Sequence, residues 1–453
     1  MVKKIFGTFG VRGIYNKELF PETANLLGHA LGTYLGKAKK IGIGHDTRAS
    51  CDELQAALIE GLVSTGCEIY KFGCVGTPLL SFFIPRKKLD GGVMITASHN
   101  PKEYNGLKFW NADGSGFRME QDRELENIYY GRAFNAVIPD YNKIHTVENL
   151  NSEYIQTVKK KLDWEAIKKA NFKVVVDCGH GCACYVTPQL LQELGCNVIP
   201  LFNEPDGTFP GRSSEPIEEN LGEIKKLVKE TGADFGVAQD GDADRAVHID
   251  NEGSYQMGDR SFALACYAYL KGSGGTIIST VSTGTVVEDA AKLVNARVLY
   301  SIVGEPKIVE MMKKNNAEIG GEENGGVIYK GWSYARDGIF TTALILELMA
   351  KENKSFKALN EMLPQYEQIK IKIPCPNDKK EILLKKIEEQ IPKDQEIITI
   401  DGIRINYPYG WLLLRPSGTE PIFRIMAEAK TKSKIRELEK YAKKIVIDSL
   451  NEL

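Results

Sequence analysis

Three carboxylates stand at alternate positions in the run Gln239-Asp240-Gly241-Asp242-Ala243-Asp244-Arg245. Extended backbone turns residues i, i+2 and i+4 to one side, so Asp240, Asp242 and Asp244 are expected to converge. Anions that close repel one another unless a cation sits between them. Gly241 and Ala243 are small enough to let the backbone curl around one. Hard oxygen ligands in this number suit Mg2+, which keeps positions for water or a phosphate oxygen. The plain alternative is an acidic surface turn. Against it, the triplet follows an apolar stretch directly and ends on an arginine.

A second cluster lies in Thr96-Ala97-Ser98-His99-Asn100-Pro101, with Lys108 beyond it. Residues 93–97 read as a buried strand that breaks into a serine, a histidine and an asparagine. A serine at a strand end is ordinarily a turn or cap residue. His99, Asn100 and Lys108 surround this hydroxyl with donors and a candidate acid/base. A magnesium site elsewhere in the chain would neutralise a phosphoryl group carried by that oxygen. His99 taken singly fits a structural hydrogen-bonding role equally well.

Two further loops have chemistry to offer. Arg415-Pro416-Ser417-Gly418-Thr419-Glu420-Pro421, with Arg424 after it, combines arginines, hydroxyls and an approachable glycine amide, the makings of an anion cradle. Gly320-Gly321-Glu322-Glu323-Asn324-Gly325-Gly326 offers carboxylates and an amide that accept from and donate to vicinal sugar hydroxyls. Each of these two loops, alone, also fits an ordinary turn. Cys178, His180, Cys182 and Cys184 lack a second ligand pair at zinc-finger spacing. They are expected to be small buried residues at a strand-to-helix turn.

The elements that must position these groups alternate. Residues 24–35 carry Leu26, Leu27, Ala30, Leu31, Tyr34 and Leu35 on one helical face. A strand at 41–44, a helix through Leu54, Leu58 and Leu62, a strand at 68–72 and a short helical piece lead to the strand before Ser98. The pattern recurs as strand 173–177, helix 186–194, strand 197–202, helix 217–231 and strand 234–238, running into Asp240. It recurs again as strand 276–281, helix 286–293, strand 297–302, helix 307–314 and strand 317–320, running into Glu322. Such alternation implies right-handed βαβ units and parallel sheets, with ligands at the carboxyl ends of the strands. Three such edges facing one cleft is the economical arrangement. The remainder differs: strands at 369–373, 397–400, 411–415 and 423–427 and helices at 378–391 and 432–450 make a small α+β domain, its start bracketed by Pro364, Pro374 and Pro376. The expected fold is therefore α/β: three consecutive α/β domains with mixed, mainly parallel sheets, plus a C-terminal α+β domain. The divisions fall at 1–150, 151–252, 253–366 and 367–453.

The bulk properties fit such a chain and exclude several classes. At 453 residues it exceeds one core. With 58 basic and 60 acidic residues, nothing calls for nucleic acid or an anionic membrane surface. No apolar run approaches the roughly eighteen residues of a membrane span, and residues 1–13 lack a signal-peptide core. Nine scattered cysteines, an odd number, point to free thiols and a cytoplasmic location. No G-x-S-x-G elbow, phosphate-binding P-loop or dinucleotide-binding G-x-G-x-x-G is present.

Phe6-Gly7-Thr8-Phe9-Gly10-Val11-Arg12-Gly13, the Ser98 segment, the aspartate triplet, Gly321-Glu322-Glu323-Asn324-Gly325 and Arg415-Pro416-Ser417-Gly418-Thr419 occur in that order. Together they resemble the α-D-phosphohexomutase family over essentially the whole chain. The resemblance implies four domains around a central cleft and an enzyme that moves a phosphoryl group between the 1- and 6-positions of a hexose. It implies Ser98 as the phosphoryl carrier and Asp240, Asp242 and Asp244, with Ser98, as the Mg2+ site. By the same resemblance Lys108 is a general acid/base, with His99, Arg12 and Arg245 beside the transferring group. Arg415, Ser417, Gly418, Thr419 and Arg424 would hold the non-reacting phosphate, and Glu322 and Asn324 the sugar. A hexose 1,6-bisphosphate activator, a phosphosugar substrate and a homodimer belong to the same expectation. Asn324 and Gly326 stand where the common bacterial pattern has serine and histidine. The form found here is similar to archaeal members assigned as phosphoglucosamine mutases or phosphomannomutase/phosphoglucomutases, and the amino-sugar reading is the preferred one.

Two rivals remain at this point. Aspartate-based phosphatases and mutases use D-x-D-x-T/V with the first aspartate as nucleophile. Here Asp244 replaces the last residue, which favours a three-ligand metal site. A phosphosugar-binding protein without catalysis is the other, and the retention of Ser98, Lys108 and all three aspartates argues against it.

Overall fold

The computed structural model describes residues 5–418 and 420–453. Four sheets follow one another along the chain. The first has six strands in the spatial order Val11–Ile14, Tyr104–Asn111, Gly91–Ile95, Lys40–His45, Glu68–Cys74 and Ile144–Thr146. Its centre is parallel, as the alternation predicts. Gly91–Ile95 is buried at every position, the pattern of a strand covered on both faces. Tyr104–Asn111 then returns antiparallel beside it and sets Lys108 opposite Met94. The alternation gave no sign of this strand, because it follows the Ser98 loop without an intervening helix.

The second sheet runs Tyr255–Gln256, Ala246–Asp250, Phe235–Gln239, Lys173–Asp177 and Asn197–Leu201. The third runs Ala296–Ser301, Gly275–Thr280, Ile319–Gly321 and Val327–Tyr329. Each has a parallel centre and an antiparallel return strand directly after its motif loop. Thus the aspartate loop links Phe235–Gln239 to Ala246–Asp250, and the Glu322 loop links Ile319–Gly321 to Val327–Tyr329. The fourth sheet is antiparallel throughout, in the order Glu367–Pro374, Ile422–Ala429, Gly410–Pro416, Ile403–Tyr407 and Ile397–Ile398, with helices Lys380–Gln390 and Lys432–Asn451 on it.

Three expected helices are shorter than their sequence pattern, the 378–391 segment being helical over Lys380–Gln390. The 217–231 segment is helical only over Gly222–Thr231, after a separate 3-10 turn at Glu218–Asn220. Leu221 between them leaves helical backbone (φ −108°, ψ 23°), and the buried stripe begins there. The 186–194 segment is helical over Thr187–Glu193, because Val186 is non-helical (φ −139°) and Pro188 opens the first turn.

One apolar cluster runs through the first three units, joining Phe82, Tyr154, Val174, Ile277 and Phe340 among others. The C-terminal unit has its own core around Leu383, Leu412, Phe423 and Val446. A small cluster, Val281 with Trp411, Leu413 and Met426, joins it to the third unit. Polar contacts flank that junction: Arg404 donates to the Val281 carbonyl at 2.7 Å, Glu428 accepts from the Thr285 amide at 2.9 Å, and Asp401 accepts from the Val303 amide at 3.0 Å. Among the described residues, no helix is long and apolar enough to cross a membrane.

Candidate active site

Ser98 sits just past the end of Gly91–Ile95, almost fully buried, with a left-handed backbone (φ +52°). For a residue with a side chain this conformation is strained and persists only where the surroundings enforce it. They do so here. The Ser98 amide donates to Thr96 Oγ1 at 2.8 Å. Arg48, also buried, donates to the carbonyls of Ser98, Asn100, Pro101 and Tyr104 at 2.6–3.0 Å. Asp46 aligns Arg48 through Nε at 3.1 Å and accepts from Thr96 Oγ1 at 2.6 Å. The loop that presents the hydroxyl is thus laced by one guanidinium.

That hydroxyl donates to Asp240 Oδ2 at 2.8 Å. The aspartates do converge, but by a different route from the extended strand expected of them. Residues 240–245 form a turn: the Ala243 amide donates back to the Asp240 carbonyl at 3.1 Å, and Ala243 is left-handed (φ +59°). Gly241 lets this turn approach the Ser98 loop, for a Cβ there would stand 2.8 Å from the Ser98 carbonyl oxygen. The three carboxylates offer oxygens within 4.8 Å of one another, the one such acidic, histidine or cysteine grouping among the described residues. The Cys178 to Cys184 cluster does not form one; its cysteines are free and mostly buried, as expected.

The outer oxygens of the triplet are occupied. Asp242 Oδ2 accepts from Lys108 Nζ at 2.8 Å and Thr77 Oγ1 at 2.6 Å, Asp240 Oδ1 from the Arg245 amide at 3.1 Å, and Asp244 Oδ2 from Arg336 at 2.5 Å. Asp242 Oδ1 and Asp244 Oδ1 are buried with no hydrogen-bond partner. Leaving two buried carboxylate oxygens unpaired is costly. Two orphan oxygens beside Asp240 and a serine hydroxyl are a donor set that fits a hard divalent cation. The electrostatics agree: burial, and then the neighbouring Asp244 and Asp242, raise the Asp240 carboxyl well above its ordinary range. Burial pushes Asp242 up as well, yet Lys108, Thr77 and Arg336 outweigh it and hold that carboxyl well below its ordinary range.

Lys108 is therefore in the cluster, placed on Asp242 rather than on Ser98. His99 Nδ1 lies 3.4 Å from Ser98 Oγ. The positive Arg245, then burial, then Arg12 and Arg336 depress its pKa far below the usual imidazole value, so the ring is neutral at physiological pH. Arg12 donates to Asn100 Oδ1 at 2.5 Å, and burial lowers its pKa to about 10. Arg245 Nε lies 3.9 Å from oxygens of both Asp240 and Asp244.

The Glu322 loop joins this cluster through a residue the sequence reading missed. Arg336, 6% exposed, lies 2.5 Å from both Asp244 Oδ2 and Glu322 Oε2, and its Nε is 3.1 Å from Glu305 Oε2. Burial, tempered by Arg336, raises the Glu305 carboxyl to about 7. Glu322 Oε1 accepts from the Gly304 amide at 3.1 Å, and Asn324 Oδ1 accepts from the Gly326 amide at 3.0 Å. No local signal marked Arg336, Arg48, Thr77 or Glu305; buried charge is recognisable only once the chain is folded.

The described residues of the expected anion cradle lie as a separate group on the C-terminal sheet. Arg415 and Arg424 are direct cross-strand partners, with Lys372 next in line on the adjoining strand. Like charges side by side destabilise a sheet. Here Asp401 takes Arg415 Nε at 2.7 Å and Glu420 takes Arg424 at 2.6 Å. Ser417 is buried and its hydroxyl accepts from the Glu420 amide at 3.2 Å, while Gly418 is exposed. Lys380, another residue missed in the sequence, donates to the carbonyls of Ser417 and Glu420 at 2.6 and 2.5 Å, which draws those oxygens inward. Thr419 lies outside the described residues.

Comparison with known proteins finds four family domains in succession along the chain. Residues 3–136, 152–253 and 257–366 match the phosphoglucomutase/phosphomannomutase alpha/beta/alpha domains I, II and III, and 371–444 match the C-terminal domain of that family. A phosphoglucomutase/phosphomannomutase of Thermococcus kodakarensis is 43% identical, covering 99% of both chains. A phosphoglucosamine/phosphogalactosamine mutase of Sulfurisphaera tokodaii is 40% identical over 98% of this chain and 99% of its own. Among solved structures, a phosphoglucomutase/phosphomannomutase family protein of Burkholderia thailandensis superposes with a TM-score of 0.86 at 26% identity, covering 99% of this chain and 98% of its own. Fold, site and relatives define an enzyme of the phosphohexomutase class. The chain belongs to the phosphoglucomutase/phosphomannomutase family.

Proposed function

We propose that the enzyme interconverts hexosamine or hexose 1-phosphates and 6-phosphates through a phosphoserine at Ser98 and a bisphosphorylated sugar. The observation that carries this reading is the Ser98 hydroxyl, held in strained backbone 2.8 Å from Asp240 inside a buried carboxylate triplet. Asp240, Asp242, Asp244 and an oxygen on Ser98 would hold the metal, which their hard oxygen donors suit to Mg2+. When bound it offsets negative charge on the phosphoryl oxygens during transfer.

The phosphoserine P–O bond breaks as a bond forms from phosphorus to the free sugar hydroxyl. Lys108, as its neutral amine, takes the proton of that hydroxyl, and Ser98 Oγ leaves as the alkoxide that later attacks in return. After the bisphosphorylated sugar turns over, Ser98 attacks its other phosphoryl group and Lys108 manages the proton in reverse. Arg12 and Arg245 stabilise the transferring charge, and neutral His99 orients the serine. Arg415, Ser417, Gly418, Thr419 and Arg424 hold the phosphate that is not reacting. Such a cradle recognises phosphate alone, so it serves both orientations of the sugar. Glu322 and Asn324 bind sugar hydroxyls. A trace of hexose 1,6-bisphosphate supplies the first phosphoryl group to Ser98.

In this reading residues 1–150 carry the phosphoserine, 151–252 the metal, 253–366 the sugar and 367–453 the phosphate. The working unit is a homodimer, and nine free cysteines suit the reducing cytoplasm. The amino sugar is the preferred substrate, supported by relatives such as the Sulfurisphaera enzyme and the probable phosphoglucosamine mutase of Methanopyrus kandleri, 38% identical over 96% of both chains. The Thermococcus relative favours mannose and glucose phosphates instead. A phosphorus NMR competition decides: glucosamine, mannose and glucose 1-phosphates in one tube with Mg2+ and a trace of bisphosphate. Glucosamine 6-phosphate is expected first. Faster loss of the mannose or glucose ester overturns the preference, and no conversion of any of them overturns the mutase reading.

A further inference from the structure

We propose that Arg336 is a positioning residue that ties the metal aspartate Asp244 to the sugar-loop carboxylate Glu322, and that Gly326 lacks a side chain to make room for it. The inference rests on the reading of the site as a metal-dependent phosphosugar centre. A buried guanidinium is expensive unless its donors are met. Arg336 donates to carboxylates from two separate places, Asp244 in the aspartate turn and Glu322 in the sugar loop, while its Nε lies 3.1 Å from Glu305 Oε2 at the start of helix Glu305–Asn315 as an ion pair without hydrogen-bond geometry. Its fork is planar and rigid, so the directions of these contacts are fixed together.

The consequence for each partner is specific. Asp244 Oδ2 is taken by Arg336, which leaves Oδ1 as its one open oxygen, buried and unpartnered. Glu322 is held at both oxygens, Oε2 by Arg336 and Oε1 by the Gly304 amide. The backbone of Arg336 is itself anchored. Neighbouring Asp337 caps helix Gly338–Glu352 through the Ile339 and Phe340 amides and accepts from Tyr154 and Trp332 at 2.6 and 2.8 Å. Its side chain then crosses Gly326: a Cβ at that position would stand 2.3 Å from Arg336 Cδ. The departure at Gly326 and the presence of Arg336 are thus one feature.

Two substitutions test this. Arg336→Lys keeps the charge and loses the fork; Gly326→Ala changes no charge and displaces the side chain. Both are made in the full chain and measured without the bisphosphate primer, so that binding is read without turnover. Mn2+ binding is followed by electron paramagnetic resonance and glucosamine 1-phosphate binding by calorimetry. Loss of a partner that orients a metal ligand costs about ten-fold or more in metal affinity, and each substitution is expected to weaken both ligands by about that factor. Mn2+ affinity within two-fold of the parent overturns the positioning of Asp244. Weakened Mn2+ binding with unchanged sugar phosphate binding overturns the tie to Glu322. Should Arg336→Lys fail to fold, Gly326→Ala decides alone. A native chain that binds neither ligand would instead refute the functional reading.

Discussion

Replacing Arg48 by lysine isolates the guanidinium that shapes the Ser98 loop. The native side chain makes five hydrogen bonds, one to Asp46 and four to the carbonyls of Ser98, Asn100, Pro101 and Tyr104. An ammonium has three donors, so at least two of the five are lost. Hydrogen bonds to a charged group are worth about 1.5–3 kcal/mol each, which gives about 3–6 kcal/mol before relaxation and water entry reduce it. Ser98 retains its contacts to Thr96 and to Ser214, which donates to the Ser98 carbonyl at 2.9 Å. The left-handed backbone then has fewer constraints, and a displacement near 1 Å at a reacting group costs about 100-fold in rate. Urea unfolding of the full chain measures the first effect, and transfer of labelled phosphoryl from hexose bisphosphate to Ser98 measures the second. Arg48→Lys is expected to lower stability by about 3 kcal/mol and phosphoryl uptake by about 100-fold. Unchanged uptake alongside the stability loss would refute the claim that Arg48 positions the nucleophile, leaving it a packing residue only.

Ser98→Ala is expected to abolish turnover with the fold intact, and labelled phosphoenzyme should survive acid and hydroxylamine; hydroxylamine release would move the nucleophile to Asp240. Lys108→Met should stop turnover yet tighten Mn2+ binding at least about ten-fold, because it removes a unit charge from beside Asp242; weaker binding would show that Lys108 does not compete with the ion. At the junction of the third and fourth units, Gln368 bridges Asp259 and Glu428 at 2.8 and 2.9 Å. Burial raises both carboxyls, against Gln368 and the nearby cations Lys370 and Arg260 for Asp259, and against Thr285 and Gln368 for Glu428. A raised carboxyl binds more protons folded than unfolded, so its contribution is full below the unfolded value near 4 and is lost as pH rises through the folded one. Asp259→Asn should therefore flatten the decline in thermal stability from pH 4 to pH 8, and an unchanged slope counts against the pair.

The candidate chemistry was legible where it is local. Ser98, the aspartates and the cradle arginines each lie in one short run, and a loop at a strand end carries its own signature. The clamps were not. Arg48 acts fifty residues from Ser98 and Arg336 acts on Asp244 from the next unit, so neither pairing has a spacing to read. The parallel cores followed from the strand-helix alternation. The return strands Tyr104–Asn111, Ala246–Asp250 and Val327–Tyr329 did not, because each begins right after a motif whose polarity hides the strand. They matter most, since the first of them carries Lys108 to the aspartates. Ile403–Tyr407 was missed for a simpler reason: Arg404 and Asn406 alternate with the buried isoleucines 403 and 405 and make the run look polar.

Asp401 has one oxygen on Arg415 and the other on the Val303 amide of the third unit. While that amide is in place, part of the carboxylate's charge is already spoken for, and Arg415 is held less tightly by it. Swinging the C-terminal unit away would return the full charge to Arg415 and make the arginine a poorer host for phosphate. On the proposed phosphate-holding role of Arg415, grip would follow closure, and an opening of the C-terminal unit would release the finished ester without a separate trigger. Asp401→Asn uncouples the two, and it should slow ester release relative to phosphoryl transfer in rapid-quench kinetics; release at the native rate would break the link.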